Sequence, residues 1–153
     1  MSDETITGTD WEVFAHYGQT MLTVQAFEFT LFQVVQIQDE DFPEEGDFEE
    51  VWREHVEPLF KLTAGQLRGK LQGIDYALIE ELGAAVGTSN FLAHEFLFRY
   101  RLAAATGTSD HRAAVETLAE LQGRFAGVTR KLDWIAAELM REKGADPDDP
   151  AIT

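Results

Sequence analysis

The chain has 153 residues and a formal net charge of −16, with 28 acidic and 12 basic residues. This charge favours solubility and opposes non-specific binding to nucleic acid or to an anionic membrane. The chain contains no cysteine, which excludes disulfides, a thiolate zinc site and a cysteine nucleophile. No apolar run approaches the roughly 20 residues that span a bilayer, and the acidic start at 1–10 is unlike a signal peptide. We therefore expect a cytoplasmic protein that makes no contact with membranes.

The distribution of proline and of apolar residues predicts an all-α fold. Proline occurs only at positions 43, 58, 147 and 150, and no segment alternates apolar and polar residues as a strand would. We expect one domain, an antiparallel bundle of four main helices with additional short helices. A flexible N-terminus at 1–9 and a disordered acidic tail at 144–153 would flank the bundle at 10–143.

The first predicted helix, at about 11–38, carries an acidic residue in the middle of its apolar stripe. Thr9 or Asp10 would cap this helix, and the residue inside the stripe is Glu28. Because burying a carboxylate is costly without a partner, we expect Glu28 to be paired inside the bundle. The alternative is a partly exposed glutamate on a helix with two apolar sides. The other members of the stripe are Val13, Phe14, Tyr17, Met21, Val24, Leu31, Phe32 and Val35.

An acidic segment follows the first helix. Eight of the twelve residues at 39–50 are Asp or Glu. A solvated loop at 39–47 is the simplest interpretation of this run, and a docking site for a basic protein partner is the more specific one. Beyond it, a helix at 48–62 would bend or divide at Pro58.

The remaining segments predict a short irregular helix and three longer ones. Glycine recurs every fourth residue within 63–73, which would form a bare strip on a helix but also weakens helices, so a short helix between turns is equally compatible. Longer helices are predicted at 74–86, at about 88–105 and at 109–143, with a loop near Gly87 and a stop at Gly107. The last helix has apolar residues in alternating steps of three and four, typical of packing against near-parallel neighbours. These residues are Leu118, Leu121, Phe125, Val128, Leu132, Ile135 and Leu139.

The helix at 88–105 is the most informative part of the sequence, because polar residues stand within an apolar segment. Asn90 and His94 are one turn apart, and Arg101 falls on the same side. A row of amide, imidazole and guanidinium groups could orient a phosphate, and histidine transfers protons near neutral pH. The alternative is a core histidine that is hydrogen-bonded to Glu28 or to a carbonyl. In either case we expect Glu28 and His94 to be buried within hydrogen-bond reach, directly or through one water.

The pattern Asn-x-Leu-Ala-His-x-Phe at 90–96 resembles the core of the HEPN superfamily (higher eukaryotes and prokaryotes nucleotide-binding), small all-α bundles with an Arg-x-x-x-x-His type motif. The resemblance implies a homodimer in which Arg and His of both subunits converge on an RNA phosphate. It also implies metal-independent endoribonuclease activity without a cofactor. An acidic residue on an earlier helix often supports this site, and Glu28 matches that position.

Ser89 stands where the family signature has arginine, so the guanidinium that would stabilise phosphate charge is missing. Together with the acidic composition, this favours a catalytically impaired binding or regulatory protein of a bacterial defence or toxin–antitoxin type system. The first alternative is an active endoribonuclease that uses His94, Asn90 and Arg101, with Glu28 positioning His94. The second is a purely structural bundle. RNA is therefore a disfavoured partner, and a second copy of the chain is the expected one.

The sequence predicts no metal site. Glu12 and His16 form the nearest metal-like pair, but a single pair at this spacing near a terminus is typical of a surface contact. His55 and His111 have polar neighbours near predicted helix ends. A di-iron bundle would need paired Glu-x-x-His spacings, which the sequence lacks.

Overall fold

The computed structural model describes residues 8–43, 45–146 and 148, and within these ranges it is all-helical, without a strand. The all-α prediction is therefore confirmed. No helix in the described part of the chain is long and apolar enough to cross a membrane. The predicted disordered tail lies partly, and the flexible N-terminus mostly, outside the described residues. The five helices are α1 (Gly8–Gln38), α2 (48–60), α3 (Ala64–Lys70), α4 (76–105) and α5 (His111–Glu142).

Several helix ends follow from local sequence. Thr63 is the N-cap of α3 and forms a capping box with Gln66. The short helix predicted in the glycine-rich segment is thereby confirmed. Asp110 caps α5 by accepting a hydrogen bond from the Ala113 amide at 3.0 Å. Gly107 takes a positive φ of 71° after α4, as the predicted stop requires. The predicted capping of α1 by Thr9 or Asp10 is wrong, because α1 already includes Gly8 and both residues lie in its first turn.

Two helices contain a π-helical turn, which accommodates one extra residue. In α2 this turn occupies Trp52–Val56. It directly precedes the segment with Pro58, whose ring disfavours a regular α-helical turn before it. In α4 the π turn occupies Leu92–Phe96, inside the motif that resembles the HEPN signature.

The predicted loop near Gly87 is wrong, because α4 continues through this position without a break. A single glycine costs a helix roughly 1 kcal/mol, and the buried residues Leu82 and Ser89 hold α4 in place before and after it. Thr88 does not cap a new helix but donates its hydroxyl to the Ala84 carbonyl at 3.0 Å. Ser89 is buried against α1. The motif therefore lies in the second half of one long helix.

The longest helices, α1 with 31 residues and α5 with 32 residues, run parallel to each other. Near their starts, the Thr20 hydroxyl donates to the Leu118 carbonyl at 3.3 Å. Near their ends, the Lys143 ammonium donates to the Ile37 carbonyl. With α4 they give three long helices, so the finer prediction of four main antiparallel helices is not confirmed.

α4 runs antiparallel to α1 and is fixed to it at intervals along its second half. Ser89 lies against Glu28 in the middle of α1. Tyr100, near the end of α4, donates its hydroxyl to Asp10 at the start of α1 at 2.9 Å. Four residues of α4 that contact α1 are buried, namely Ser89, Leu92, Phe96 and Tyr100.

The core lies between α1 and α5. The rings of Phe27 and Phe125 are 5.5 Å apart between centroids, and they are 0% and 2% exposed. Their burial alone stabilises the fold by several kcal/mol. The predicted apolar stripe of α5 is confirmed. Leu118, Phe125, Val128 and Leu132 are buried, with Leu121, Ile135 and Leu139 packed against them.

The buried face of α1 is rotated relative to the predicted stripe. Thr20, Phe27 and Val34 are buried although the stripe omitted them, and Glu28 is only half-buried. The reason is that α5 covers the side of Phe27, which leaves Glu28 at the border between α1 and α4. The prediction that Glu28 lies in the middle of the buried stripe is therefore wrong.

The Phe27 ring should be a principal source of stability. We expect Phe27→Ala to lower the free energy of unfolding by about 3–5 kcal/mol, because it leaves a cavity against Phe125. Chemical denaturation followed by circular dichroism measures this loss. Phe29→Ala is the matched control two residues away, where the ring is 56% exposed, and it should cost less than about 1 kcal/mol. Equal losses for the two variants would contradict the assigned core.

Candidate functional site

The carboxylate of Glu28 is paired with Ser89 and not with the predicted histidine. The Ser89 hydroxyl donates to Glu28 Oε1 at 3.1 Å, and Ser89 is 5% exposed. His94 is exposed, so the prediction that Glu28 and His94 are buried together is wrong. The side chains of α4 that point inward follow steps of three and four residues from Ser89 to Tyr100, and His94 falls between these steps on the outer side.

The predicted polar row therefore faces solvent. Asn90, His94 and Arg101 are all exposed along the outer side of α4. Two apolar side chains accompany them on the same helix, since Phe98 is 70% and Leu102 56% exposed. The three polar residues therefore lie on one helix, as predicted. Their surroundings are exposed and partly apolar, whereas a buried site was expected.

The charge of this side of α4 differs from that of the whole chain. Within 82–109 the one acidic residue is Glu95, and it forms a salt bridge with Arg99 at 2.8 Å. The guanidinium of Arg99 also lies 5.6 Å from the centroid of the Phe91 ring, at a distance suited to a cation–π contact. An anion or a second protein surface would meet little repulsion here.

Tyr17 holds the π turn of α4 against α1. Its hydroxyl donates to the Leu92 carbonyl at 2.8 Å, and its ring stacks on Phe96 with 6.0 Å between centroids. The change of register in a π turn alters the partners of its carbonyls, and Tyr17 supplies a donor to one of them. Sequence reasoning treated Tyr17 as an apolar stripe residue. The available signal was that a tyrosine in a core position usually has a partner for its hydroxyl.

Two tyrosines link α1 and α4 through their hydroxyl groups. Burial raises the pKa of Tyr17. Burial also raises the pKa of Tyr100, and the hydrogen bond and negative charge of Asp10 raise it further. Both phenols are therefore held in the protonated form that donates a hydrogen bond.

A second polar cluster lies at the start of the parallel pair. His111 Nε2 lies 2.9 Å from the carboxylate of Glu12, so Glu12 pairs with α5 across the helix interface. Nδ1 of His16 is buried without a hydrogen-bond partner among the described residues. No group of three or more His, Cys, Asp or Glu side chains suited to a metal ion occurs in the described part of the chain.

An apolar cleft of about 260 Å³ separates α4 from α5. The cleft exists because the side chains that line it are too small to fill it, with Ala84 and Ala85 on α4 facing Gly127 on α5. A salt bridge of 2.6 Å between Lys131 and Glu81 lies at its edge. The sequence does not predict this cleft. The cleft depends on which small residues of α4 and α5 face each other, and these helices are far apart in the chain.

Comparison with known protein families, curated proteins and solved structures gave no match to this chain. The resemblance to the HEPN superfamily therefore remains a prediction that rests on the residues themselves.

The two tyrosines between α1 and α4 should make stability depend on alkaline pH. Because the folded pKa of each is raised above the ordinary value of 10.0, their contribution is complete below about pH 10. It is lost as the pH rises through the folded pKa, since the unfolded chain releases these protons first. We expect the free energy of unfolding to fall above about pH 10, and to fall less steeply in a Tyr17→Phe/Tyr100→Phe double variant.

Urea denaturation at a series of pH values measures this effect. Tyr76→Phe, at a side chain that is 75% exposed, should follow the profile of the parent protein. The double variant should also be less stable at neutral pH, because the Leu92 carbonyl loses its donor, at a cost of about 1 kcal/mol. If the free energy of unfolding fell above about pH 10 by the same amount in the double variant as in the parent protein, the proposed role of these phenols would be refuted.

Proposed function

We propose that this protein is a HEPN-like helical domain that acts by binding, as a homodimer, and does not cleave RNA efficiently. The observation that carries the proposal is Ser89, which occupies the arginine position of the motif and is itself buried against Glu28. By the resemblance, its setting would be a bacterial defence or toxin–antitoxin type system, in which it would have a regulatory role.

The surroundings of Glu28 and His94 argue against efficient catalysis. A general base benefits from a neighbouring group that orients it, and developing phosphate charge requires a positioned donor. Glu28 is engaged by a neutral hydroxyl, and His94 points to the other side of α4. Within the described part of the chain, Glu28 therefore does not orient the His94 imidazole, and Ser89 replaces the cation before Asn90.

The outer side of α4 supports binding to a second copy of the chain. Phe98 and Leu102 expose large apolar surface beside His94, and aromatic residues are enriched in protein interfaces. With Glu95 as the one acidic residue of 82–109, two copies of this face would approach with little repulsion. A symmetric contact would bring the two polar rows together.

The exposure of the polar row also favours the alternative of an active endoribonuclease. An RNA phosphate would reach His94 and Asn90 without any rearrangement of the helices. In that mechanism His94 would take the proton of a ribose 2′-hydroxyl, and Arg101 would stabilise charge on the phosphate.

An RNA cleavage assay separates the two functions. We expect pure protein in the presence of a metal chelator to leave single-stranded RNA intact, and His94→Ala to behave in the same way. Since His94 is exposed, this substitution should not disturb folding. Cleavage by the parent protein that disappears in His94→Ala would establish the endoribonuclease. Cleavage that persists in the variant would reveal a contaminating enzyme.

The oligomeric state tests the binding face of α4. We expect the protein to be a dimer by light scattering at micromolar concentration and Phe98→Glu to be a monomer, because it places charge in the apolar contact. Tyr76→Glu is the matched control, at an aromatic residue of the same helix that is 75% exposed. A monomeric parent protein, or an intact dimer in Phe98→Glu, would exclude this interface.

A further inference from the structure

Five aromatic side chains of α1 and α2 form one continuous surface. Each ring is 6.1 to 6.4 Å from the next between centroids. Four of the five are between 40% and 75% exposed. Such contiguous apolar exposure marks interaction sites more often than isolated residues do. In spatial order the rings are Phe29, Phe32, Phe60, Trp52 and Phe48.

The π turn of α2 aligns this surface. Phe60 is twelve residues after Phe48, and in a regular α-helix this separation would rotate it by about 120°. The extra residue of the π turn at Trp52–Val56 removes roughly one residue of rotation, about 100°. Phe60 therefore returns to the side of Phe48 and Trp52, and its ring lies 6.1 Å from that of Trp52.

A groove between α1 and α2 runs along the aromatic surface. It has a volume of about 360 Å³ and an apolar lining that includes Phe29, Phe42, Val51 and Val56. Gln33 and Gln36 supply polar groups at its α1 side. The groove is large enough for one or two apolar side chains of a binding partner.

The stretch 45–60, which carries three of the five rings, is strongly acidic, with six Asp or Glu residues against the basic Arg53. Asp47, Glu49, Glu50 and Glu54 are exposed on α2 and on the turn before it. This charge repels nucleic acid and anionic membranes, and a second copy of the chain would bring the same negative charge. A basic protein surface would be attracted, and its lysine or arginine side chains could also lie over the Trp52 ring.

We propose that the aromatic surface of α1 and α2 binds a basic amphipathic helix of a partner protein. Apolar side chains of that helix, spaced three and four residues apart, occupy the groove. Its basic side chains pair with the exposed glutamates of α2. This binding site is independent of the proposed α4 dimer interface, which lies on a different helix.

A designed peptide tests the proposal on the intact protein. The probe is a labelled helical peptide of leucine and lysine, with a peptide of leucine and glutamate as its matched control, and fluorescence anisotropy measures binding. We expect the lysine peptide to bind and the glutamate peptide not to bind. Added salt should weaken the complex, because exposed charges contribute to it.

Variants locate the binding site. Trp52→Ala should weaken peptide binding by about tenfold or more, as expected for an aromatic residue at the centre of an interface. Glu49→Gln/Glu50→Gln should weaken it and reduce its salt dependence. Trp134→Ala, at a tryptophan of α5 that is 66% exposed, should bind like the parent.

Four outcomes would overturn the proposal. These are the absence of lysine-peptide binding up to millimolar concentration, equal binding of the glutamate peptide, equal weakening by Trp52→Ala and Trp134→Ala, and a dimer that Trp52→Ala dissociates. The last outcome would assign the aromatic surface to self-association. Circular dichroism of Trp52→Ala must match that of the parent, and Phe48→Ala provides a second test at a ring that is 75% exposed.

Discussion

The contact between α1 and the inward face of α4 determines which polar groups of this protein are available for function. Ser89, Leu92 and Phe96 point towards α1, and each contacts a specific partner there. Once these residues are inside, the geometry of a helix leaves Asn90 and His94 outside. The same contact gives Glu28 a neutral partner. Both the pairing of the carboxylate and the exposure of the imidazole therefore follow from one helix interface.

The regular parts of the fold could be predicted from sequence, since they depend on periodicity within one helix. The apolar stripe of α5 is the clearest example. Leu118, Phe125 and Leu132 recur every seven residues, about two helical turns, which places them on one buried side of the helix. The environment of Glu28 and His94 could not be predicted in this way. It depends on how α1 is rotated by the packing of α5 and on the register change at the π turn of α4. Neither effect is visible in the spacing of residues along one helix.

The two exposed surfaces have opposite electrostatic character. The outer side of α4 is weakly charged, whereas α2, which carries three of the aromatic rings, also exposes Glu49, Glu50 and Glu54. Complementary charge determines which partners approach and how fast, more than it determines final affinity. A chain with these two faces is suited to contact like molecules on one side and basic molecules on the other. The strongly negative net charge is thus distributed unevenly.

The parallel arrangement of α1 and α5 has a consequence for how the chain reaches its native state. The hydrogen bond between Thr20 and Leu118 joins residues 98 positions apart, and the Phe27–Phe125 contact has the same separation in sequence. Contacts this distant in sequence slow folding. During synthesis on the ribosome, the side of α1 that carries Phe27 has no cover until α5 has emerged. The nascent chain therefore exposes this apolar side of α1 while the residues between α1 and α5 are made, which makes it a natural client for chaperones.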